Sequence, residues 1–323
     1  MKKEFEFIDY LRNQITDKSA DLIAGIGDDA AIFITPNNYQ NLISTDLLIE
    51  DIHFKLEYTP ANLLGYKALA VNLSDIAAMG GEAKYFLLSI ARPKTLSDKF
   101  LANLLLGMFE LAKKYKVSLI GGDTSASSDK LFLNLTVLGE SLVNKAVMRS
   151  GAEPGDEIYV SGKLGGAALG LELLQKGKRL TDNNLTDIEK SALLAHLKPE
   201  PKLDLGSQLV KSQLVTAMID ISDGLSSDLG HICEESKVGA IIDSALLPLF
   251  DGATMDQALN GGEDYELLLT VPAEKVGQVK ELATLFPNLP ITKIGLITND
   301  LTKSLITQNG QIPLKPCGYD HFS

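Results

Sequence analysis

Eight oxygen-bearing side chains, Asp29, Ser44, Thr45, Asp46, Asp75, Asp123, Asp220 and Asp223, fall mostly where an apolar run or a glycine pair ends. The densest group is Ile219-Asp220-Ile221-Ser222-Asp223-Gly224, between an apolar run at 214–218 and a helical pattern at 225–235. Carboxylates and a serine therefore meet at a strand-to-helix junction. Carboxylates this close repel one another, and desolvating each is costly unless a cation pairs with it. No Lys or Arg occurs from 215 to 235. A hard cation such as Mg²⁺, which takes oxygen ligands, suits that gap. Taken alone, the stretch also reads as a Ser/Asp helix cap. The theme recurs in Gly27-Asp28-Asp29, in Ser44-Thr45-Asp46, around Asp75, in Gly121-Gly122-Asp123-Thr124 and in Gly261-Gly262-Glu263-Asp264. Scattered carboxylates with few nearby bases suit several Mg²⁺ ions holding a polyphosphate. Phosphoryl transfer asks mainly for positioning and charge neutralisation, not a protein nucleophile. The pattern thus permits ATP chemistry without a Walker motif.

These residues need elements to position them. Apolar spacing predicts a helix over 4–15, a strand over 31–34, a turn at Asn37-Asn38 and a strand over 41–48, with His53 just beyond. A long apolar helix is expected over 60–80, started by Pro60 and stopped by Gly80-Gly81, with Asp75 among small and apolar neighbours. A strand at 84–91 and a helix at 97–115, capped by Ser97, follow. A short buried strand at 117–120 is expected to run into a turn at Gly121-Gly122, where glycines let backbone amides approach a ligand. A strand at 131–139 completes the first half. The Gly/Pro-rich connector from Arg149 to Asp156 sets two domains, 1–148 and 149–323. The second half opens with a strand at 157–161 and the turn Gly162-Lys163-Leu164-Gly165-Gly166, a weak candidate anion site before a helix ending at Gln175. Helices at 186–196, 203–211 and 273–286, and strands at 240–242, 267–271, 291–297 and 305–308, complete it. Strands and helices mix without strict βαβ alternation, so the fold class is α+β.

Composition closes off other classes. The 323 residues are 45% hydrophobic, enough to bury a sizeable core. A net charge of −12 argues against nucleic acid and against an anionic membrane surface as partners. Two cysteines, Cys233 and Cys317, form no CxxC and suit a reducing compartment. The charged start and the lack of a long apolar run predict a cytoplasmic protein with neither signal peptide nor membrane span. The four histidines form no HExxH, and GxSxG is absent. An EF-hand register from Asp220 fails, because Leu225 falls where Gly is required and His231 where the bidentate Glu belongs.

The motifs GIGDDAA, STD followed by His53, KALAVNLSDIAAMG, LIGGDT, RSGAEPGD, IDISDGLSSDLGH, GGEDYEL and the terminal GYDHF resemble, in the same order, those of the thiamine-monophosphate kinase family. The resemblance covers nearly the whole chain. It implies the two-domain fold of the aminoimidazole-ribonucleotide-synthetase superfamily, with a homodimer built through the N-terminal sheet. It also implies direct in-line transfer of the ATP γ-phosphate to thiamine monophosphate, assisted by several Mg²⁺ ions. Carried onto this chain, the Mg²⁺ ligands are Asp29, Ser44, Thr45, Asp46, Asp75, Asp123, Asp220 and Asp223. Gly122, Asp123, Arg149 and Ser222 contact ATP, and His53 and Glu263 contact thiamine monophosphate, whose thiazolium is cationic. Family members often carry an aromatic residue just before the terminal Gly, where this chain has Pro316 and Cys317. Tyr319 is the nearest aromatic able to stack on the substrate. Two alternatives are another ATP-using enzyme of the superfamily and a scaffold that keeps its acids for folding. Selenophosphate synthetase is disfavoured because its reactive Cys or Sec lies near the N-terminus, whereas the first Cys here is Cys233.

Overall fold

The computed structural model describes residues 22–24, 28–34 and 38–318. The expected helix at 4–15, Gly25, Ile26, Gly27, Asn37 and Tyr319 lie outside the described residues.

Two mixed sheets carry the chain. The first has six strands in the order β1-β2-β3-β6-β4-β5: β1 (Leu22–Ala24), β2 (Ala31–Ile34), β3 (Tyr39–Ile49), β4 (Glu82–Pro93), β5 (Ser118–Ser127) and β6 (Phe132–Leu142). All its pairings are antiparallel except β4 with β5, which the connecting helix α2 (Asp98–Tyr115) makes parallel. The second has seven strands in the order β13-β12-β9-β11-β7-β10-β8: β7 (Glu157–Ser161), β8 (Ala217–Asp220), β9 (Gly239–Asp243), β10 (Leu267–Val271), β11 (Ile291–Thr298), β12 (Lys303–Thr307) and β13 (Gly310–Pro313).

Helix α1 (Ala61–Ala78) organises the centre. It packs against β3, β4 and β6 on one side, against α2, and against β8 and the helix α5 (Leu203–Lys211) of the second half. It is buried nearly all round, which is why its sequence is apolar all round and not in a stripe. The α1–α2 contact brings backbone onto backbone. A Cβ at Gly65 would lie 1.8 Å from the Leu104 carbonyl oxygen, and one at Gly107 would lie 1.7 Å from that of Asn62. Two glycines facing opposite helices thus set the interaxial distance.

The other helices are α3 (Gly166–Gln175), α4 (Asp187–Leu197), α6 (Leu225–Ser236), α7 (Met255–Asn260) and α8 (Val276–Ala283). Three sequence expectations change. The strand expected at 117–120 runs on through Gly121-Gly122-Asp123 to Ser127, and it is exposed at the sheet edge, with β4 as its only strand neighbour among the described residues. The helix expected at 273–286 is a 3₁₀ turn, Ala273–Lys275, followed by the shorter α8. The candidate anion site at the α3 N-terminus is filled from within, since the Asp264 carboxylate accepts hydrogen bonds from the Gly165 amide (2.6 Å) and the Ala167 amide (3.1 Å). The α+β class stands, and no helix among the described residues is long and apolar enough to cross a membrane.

Candidate active site

Strand alternation aims the first ligands. Successive side chains of β3 point to opposite faces. Ser44 is buried and Asp46 half-buried on the face covered by α1, whereas Thr45 is exposed on the other face. The Ser44 hydroxyl donates to Asp75 Oδ2. The Asp46 backbone amide donates to Asn72 Oδ1 at 3.1 Å, fixing that part of β3 to α1. Thr45 instead hydrogen-bonds across the open face to the Leu135 carbonyl (2.9 Å) and to Thr136 (3.0 Å). Its side chain is therefore not brought to the acidic group.

Asp29, Asp75 and Asp220 are brought together from three elements, each offering an oxygen within 4.8 Å of the others. Asp29 precedes β2, Asp75 is on α1, and Asp220 ends β8. Ser74 Oγ donates to Asp220 Oδ2 at 2.6 Å, joining α1 to the second half. Arg149 is the cation at this junction. Its Nε and Nη2 reach the two oxygens of Asp29 at 3.2 and 2.8 Å, and its backbone amide lies 3.2 Å from both oxygens of Asp28. The bidentate fork suits a carboxylate or a phosphate oxygen pair equally.

Burial and like charge shape the ionisation here. Burial, with Asp46 and Asp220 adding to it, pushes the Asp75 carboxyl well above its ordinary value. Burial and the Asp29 charge do the same to Asp220. Asp46 is pushed up to about 6 by burial and by Asp223. Asp28 is pushed up to about 7 by burial and by Asp29. Several negative charges resisted in one small volume suit a multivalent cation with oxygen ligands.

Asp223 lies on the turn after β8 in a second acidic group with Asp228 and His231 of α6, again with ligand atoms within 4.8 Å of one another. Asp228 accepts the Gly224 amide at 3.0 Å, closing the first turn of α6. Ser222 lies on the same turn and its carbonyl accepts the Glu263 amide at 2.7 Å. The Glu263 carboxylate is held by Lys67 Nζ (2.8 Å) and His196 Nδ1 (3.0 Å). Burial pushes that carboxyl up, but Lys67 and His196 outweigh it and hold it well below the usual carboxylate range. His53 is half-buried at the end of β3, where its Nδ1 accepts the Ile49 amide at 3.0 Å.

Gly122 and Asp123 stand apart from both acidic groups, within the edge strand β5. Register places Gly122 opposite Leu88, Leu88 opposite Leu135, and Leu135 opposite Asp46. Three interstrand steps of about 4.8 Å put Gly122 about 14 Å along the sheet from Asp46. Gly122 has φ +151, and a Cβ there would lie 1.8 Å from the Leu88 carbonyl oxygen. Both residues line a cavity of about 480 Å³ between β4, β5 and α2, otherwise walled mainly by Leu88, Ile90, Leu101, Leu104 and Leu119. Its walls suit a flat apolar ring and its rim a polar group.

Sequence reasoning missed Asp28, Lys67, His196 and Asp228. Asp28 and Asp228 stand inside motifs already singled out, and a lone Lys in a helix apolar all round was a further signal. His196 carries no local signature.

Residues 27–141 match the AIR synthase related protein, N-terminal domain, and residues 153–307 match the corresponding C-terminal domain. The thiamine-monophosphate kinase of Bacillus subtilis (strain 168) is 40% identical, covering 92% of this chain and 93% of its own length. That of Escherichia coli (strain K12) is 38% identical, covering 99% and 98%. Among solved structures, AaThiL complexed with AMPPCP and TMP superposes with a TM-score of 0.85 at 32% identity, covering 99% of this chain and 97% of that one. The thiamine-monophosphate kinase of Stenotrophomonas maltophilia K279a gives 0.78 at 37% identity, covering 94% and 96%. Hydrogenase maturation protein HypE shares the fold, with a TM-score of 0.69 at 19% identity. The two matched domains and the full-length relatives agree: the chain belongs to the AIR synthase related proteins and, within them, to the thiamine-monophosphate kinase family.

Proposed function

We propose that this protein transfers the γ-phosphate of ATP to thiamine monophosphate, giving thiamine diphosphate and ADP. The observation that carries the reading is the convergence of Asp29, Asp75 and Asp220 from both halves of the chain, with Arg149 paired to Asp29. Relatives named for this activity run the length of the chain.

The donor set fits Mg²⁺, being all oxygen and crowded with negative charge. Asp29, Asp46, Asp75 and Asp220, with Ser44 beside them and Asp223 on the next turn, would hold it. Thr45 would contribute only through its main chain, and Asp123, apart on β5, would serve a further ion on the nucleotide side and not this one. Bound there, Mg²⁺ would supply neutralisation of the phosphate charge. The chain's own residues do the positioning. Arg149 offers a planar pair of donors that can pass from Asp29 to phosphate oxygens. Gly122 lets the β5 backbone approach the nucleotide, beside the apolar cavity of about 480 Å³. Ser222 fixes the turn between the two acidic groups. Glu263 meets the cationic acceptor and His53 hydrogen-bonds to it. An acceptor phosphate already carries an ionised oxygen at neutral pH, so no general base and no protein nucleophile is required.

The reading extends to a homodimer through the N-terminal sheet. That sheet leaves Leu47, Tyr85, Ile120 and Leu142 between 48 and 54% exposed, and among the described residues its edge strand β5 is unpaired on one side. It extends also to a cytoplasmic location, where ATP is supplied. The domains are taken as 1–148 and 149–323.

The experiment is ADP release from MgATP with and without thiamine monophosphate, with the product identified. Thiamine diphosphate formed mole for mole with ADP is expected. ATP turnover with a different acceptor only, or none at all, would overturn the substrate or the activity respectively.

A further inference from the structure

Behind Glu263 lies a buried cation with no part in the mechanism so far. Lys67 projects from the middle of α1 with its side chain 2% exposed, and its Nζ lies 2.8 Å from Glu263 Oε1. His196, on α4 and 4% exposed, places Nδ1 3.0 Å from Glu263 Oε2. One oxygen is thus held from the first half of the chain and the other from the second. Glu263 itself keeps 28% side-chain exposure, so the side chain is open on one side while the buried cation and imidazole stand behind it.

The backbone is constrained as well. Glu263 has φ 68 and Tyr265 has φ 49, in the left-handed region that side chains rarely adopt. The Glu263 amide is fixed by the Ser222 carbonyl (2.7 Å) and the Tyr265 amide by the Ile221 carbonyl (2.8 Å). Strain of this kind persists where surrounding structure imposes it, and it gathers at functional sites. Stability does not explain Lys67. Neither its Nζ nor His196 Nδ1 has a well-directed hydrogen-bond acceptor among the described residues, so charge and proximity hold the trio. Apolar residues of similar volume in place of a whole buried ion pair are often no less stable, so stability alone does not call for this pair.

We propose that Lys67 and His196 are positioning residues for the acceptor: they hold the Glu263 carboxylate fixed and charged, so that the open side of the residue meets the cationic part of thiamine monophosphate. The inference rests on the acceptor role given to Glu263 above. His196 stays neutral, since burial and the Lys67 charge push its imidazole down, and it bounds Oε2 by the close approach of Nδ1 and not by charge. Tyr58 and Tyr265 also feel this carboxylate, and burial with the Glu263 charge pushes both phenols up, so both stay neutral and neither adds a second negative charge beside it.

The test is a kinetic cycle over wild type, Lys67→Met, Glu263→Gln and the double variant, with KM for each substrate and kcat measured separately. Lys67→Met and Glu263→Gln are each expected to raise KM for thiamine monophosphate about tenfold, equivalent to about 1.4 kcal/mol, with KM for ATP unmoved. The double variant should be no worse than Glu263→Gln, because Lys67 acts through Glu263. A Lys67→Met protein with unchanged acceptor KM and a lower kcat or Tm would overturn the inference and leave Lys67 a structural tether. Multiplying effects in the double variant would overturn it too. Glu263→Gln with an unchanged acceptor KM would overturn the acceptor role of Glu263 itself, a separate failure. Should Lys67→Met not fold, the charge-free double variant and His196→Asn carry the test. His196→Asn must then raise the acceptor KM and leave that for ATP alone, and an unchanged acceptor KM counts against the inference.

Discussion

Asp75→Asn separates a metal site from a structural acid cluster, because the two readings predict opposite changes in stability. The Asp75 carboxylate faces Asp29 and Asp220 with ligand oxygens no more than 4.8 Å apart. Two unit charges at that distance repel by about 3 kcal/mol at an effective dielectric of about 20. Arg149 offsets part of this at Asp29, and the raised Asp75 and Asp220 carboxyls shed part by taking up protons. A net relief of about 2 kcal/mol on neutralising Asp75 is therefore expected at pH 8. The amide keeps the size of the carboxyl and an acceptor for the Ser44 hydroxyl. The chelated Asp75→Asn protein should melt above the chelated wild type, by about 4–8 °C for a chain with domains of this size. Added Mg²⁺ should raise the wild-type Tm and leave that of the variant nearly still. Turnover should drop by at least about a hundredfold, the scale on which losing one electrostatic contact to the reacting group is felt. Thermal melts in chelator and in Mg²⁺, with ADP release on the same samples, read all three. A variant that melts below wild type in chelator and still makes thiamine diphosphate would refute the reasoning.

Two further outcomes follow from the same geometry. Asp28, raised to about 7 from 3.8, binds a proton in the folded chain that the unfolded chain has released. Stability of the metal-free protein should therefore fall as pH rises through that value, by about 1 kcal/mol between pH 6.5 and 8.5 for Asp28 alone. The buried His196 and His231, both pushed down, work the other way by about 0.4 kcal/mol each over the same window, as their unfolded imidazoles release protons, so the fall is read as the difference between wild type and Asp28→Asn. A difference in urea midpoint, in chelator, that does not change with pH would count against the raised carboxyl. Asp264→Ala strips the acceptor from the Gly165 and Ala167 amides at the α3 N-terminus and should cost about 1–2 kcal/mol of unfolding free energy. An unchanged urea midpoint would show that Asp264 does not cap that helix.

The sequence made most elements legible because their signals were local. Pro60 and Gly80-Gly81 bracket α1, and Ser97 caps α2 by accepting the Phe100 amide at 3.2 Å. The acids at strand ends were legible for the same reason, since Asp220 and Asp223 announce a polar turn after an apolar run. What stayed hidden depended on pairing across the chain. Nothing in Gly121-Gly122-Asp123 tells that β4 will carry it on as a strand, and a glycine pair reads as a turn until a neighbouring strand supplies hydrogen bonds. The turn at Gly162–Gly166 resembled an anion site because Asp264, which fills it, comes about a hundred residues later. Thr45 was legible as part of a motif, but its aim was fixed by period-two alternation against Ser44 and Asp46. His196 became visible only when α4 packed beside α1.

Helix α1 ties these observations together. Lys67, Asn72, Ser74 and Asp75 are polar exceptions in an apolar helix, and each of the four reaches a partner that bears on the site. Lys67 meets Glu263, Asn72 holds the Asp46 amide, Ser74 donates to Asp220 and Asp75 receives Ser44. At about 100° per residue, Lys67 and Ser74 point within about 20° of each other, with Asp75 and Asn72 further round the axis. One helix therefore faces the second half of the chain with Lys67 and Ser74, and β3 with Asn72 and Asp75. The site's geometry then depends on where that helix lies, and the facing pair Gly65 and Gly107 sets its depth against α2. A side chain at either glycine would displace α1 and disturb the pairings to both halves at once, although neither glycine is in contact with the site. The burial of α1 on every side is thus the structural condition for holding so many acids in one place, because only a helix packed all round can fix them against their mutual repulsion.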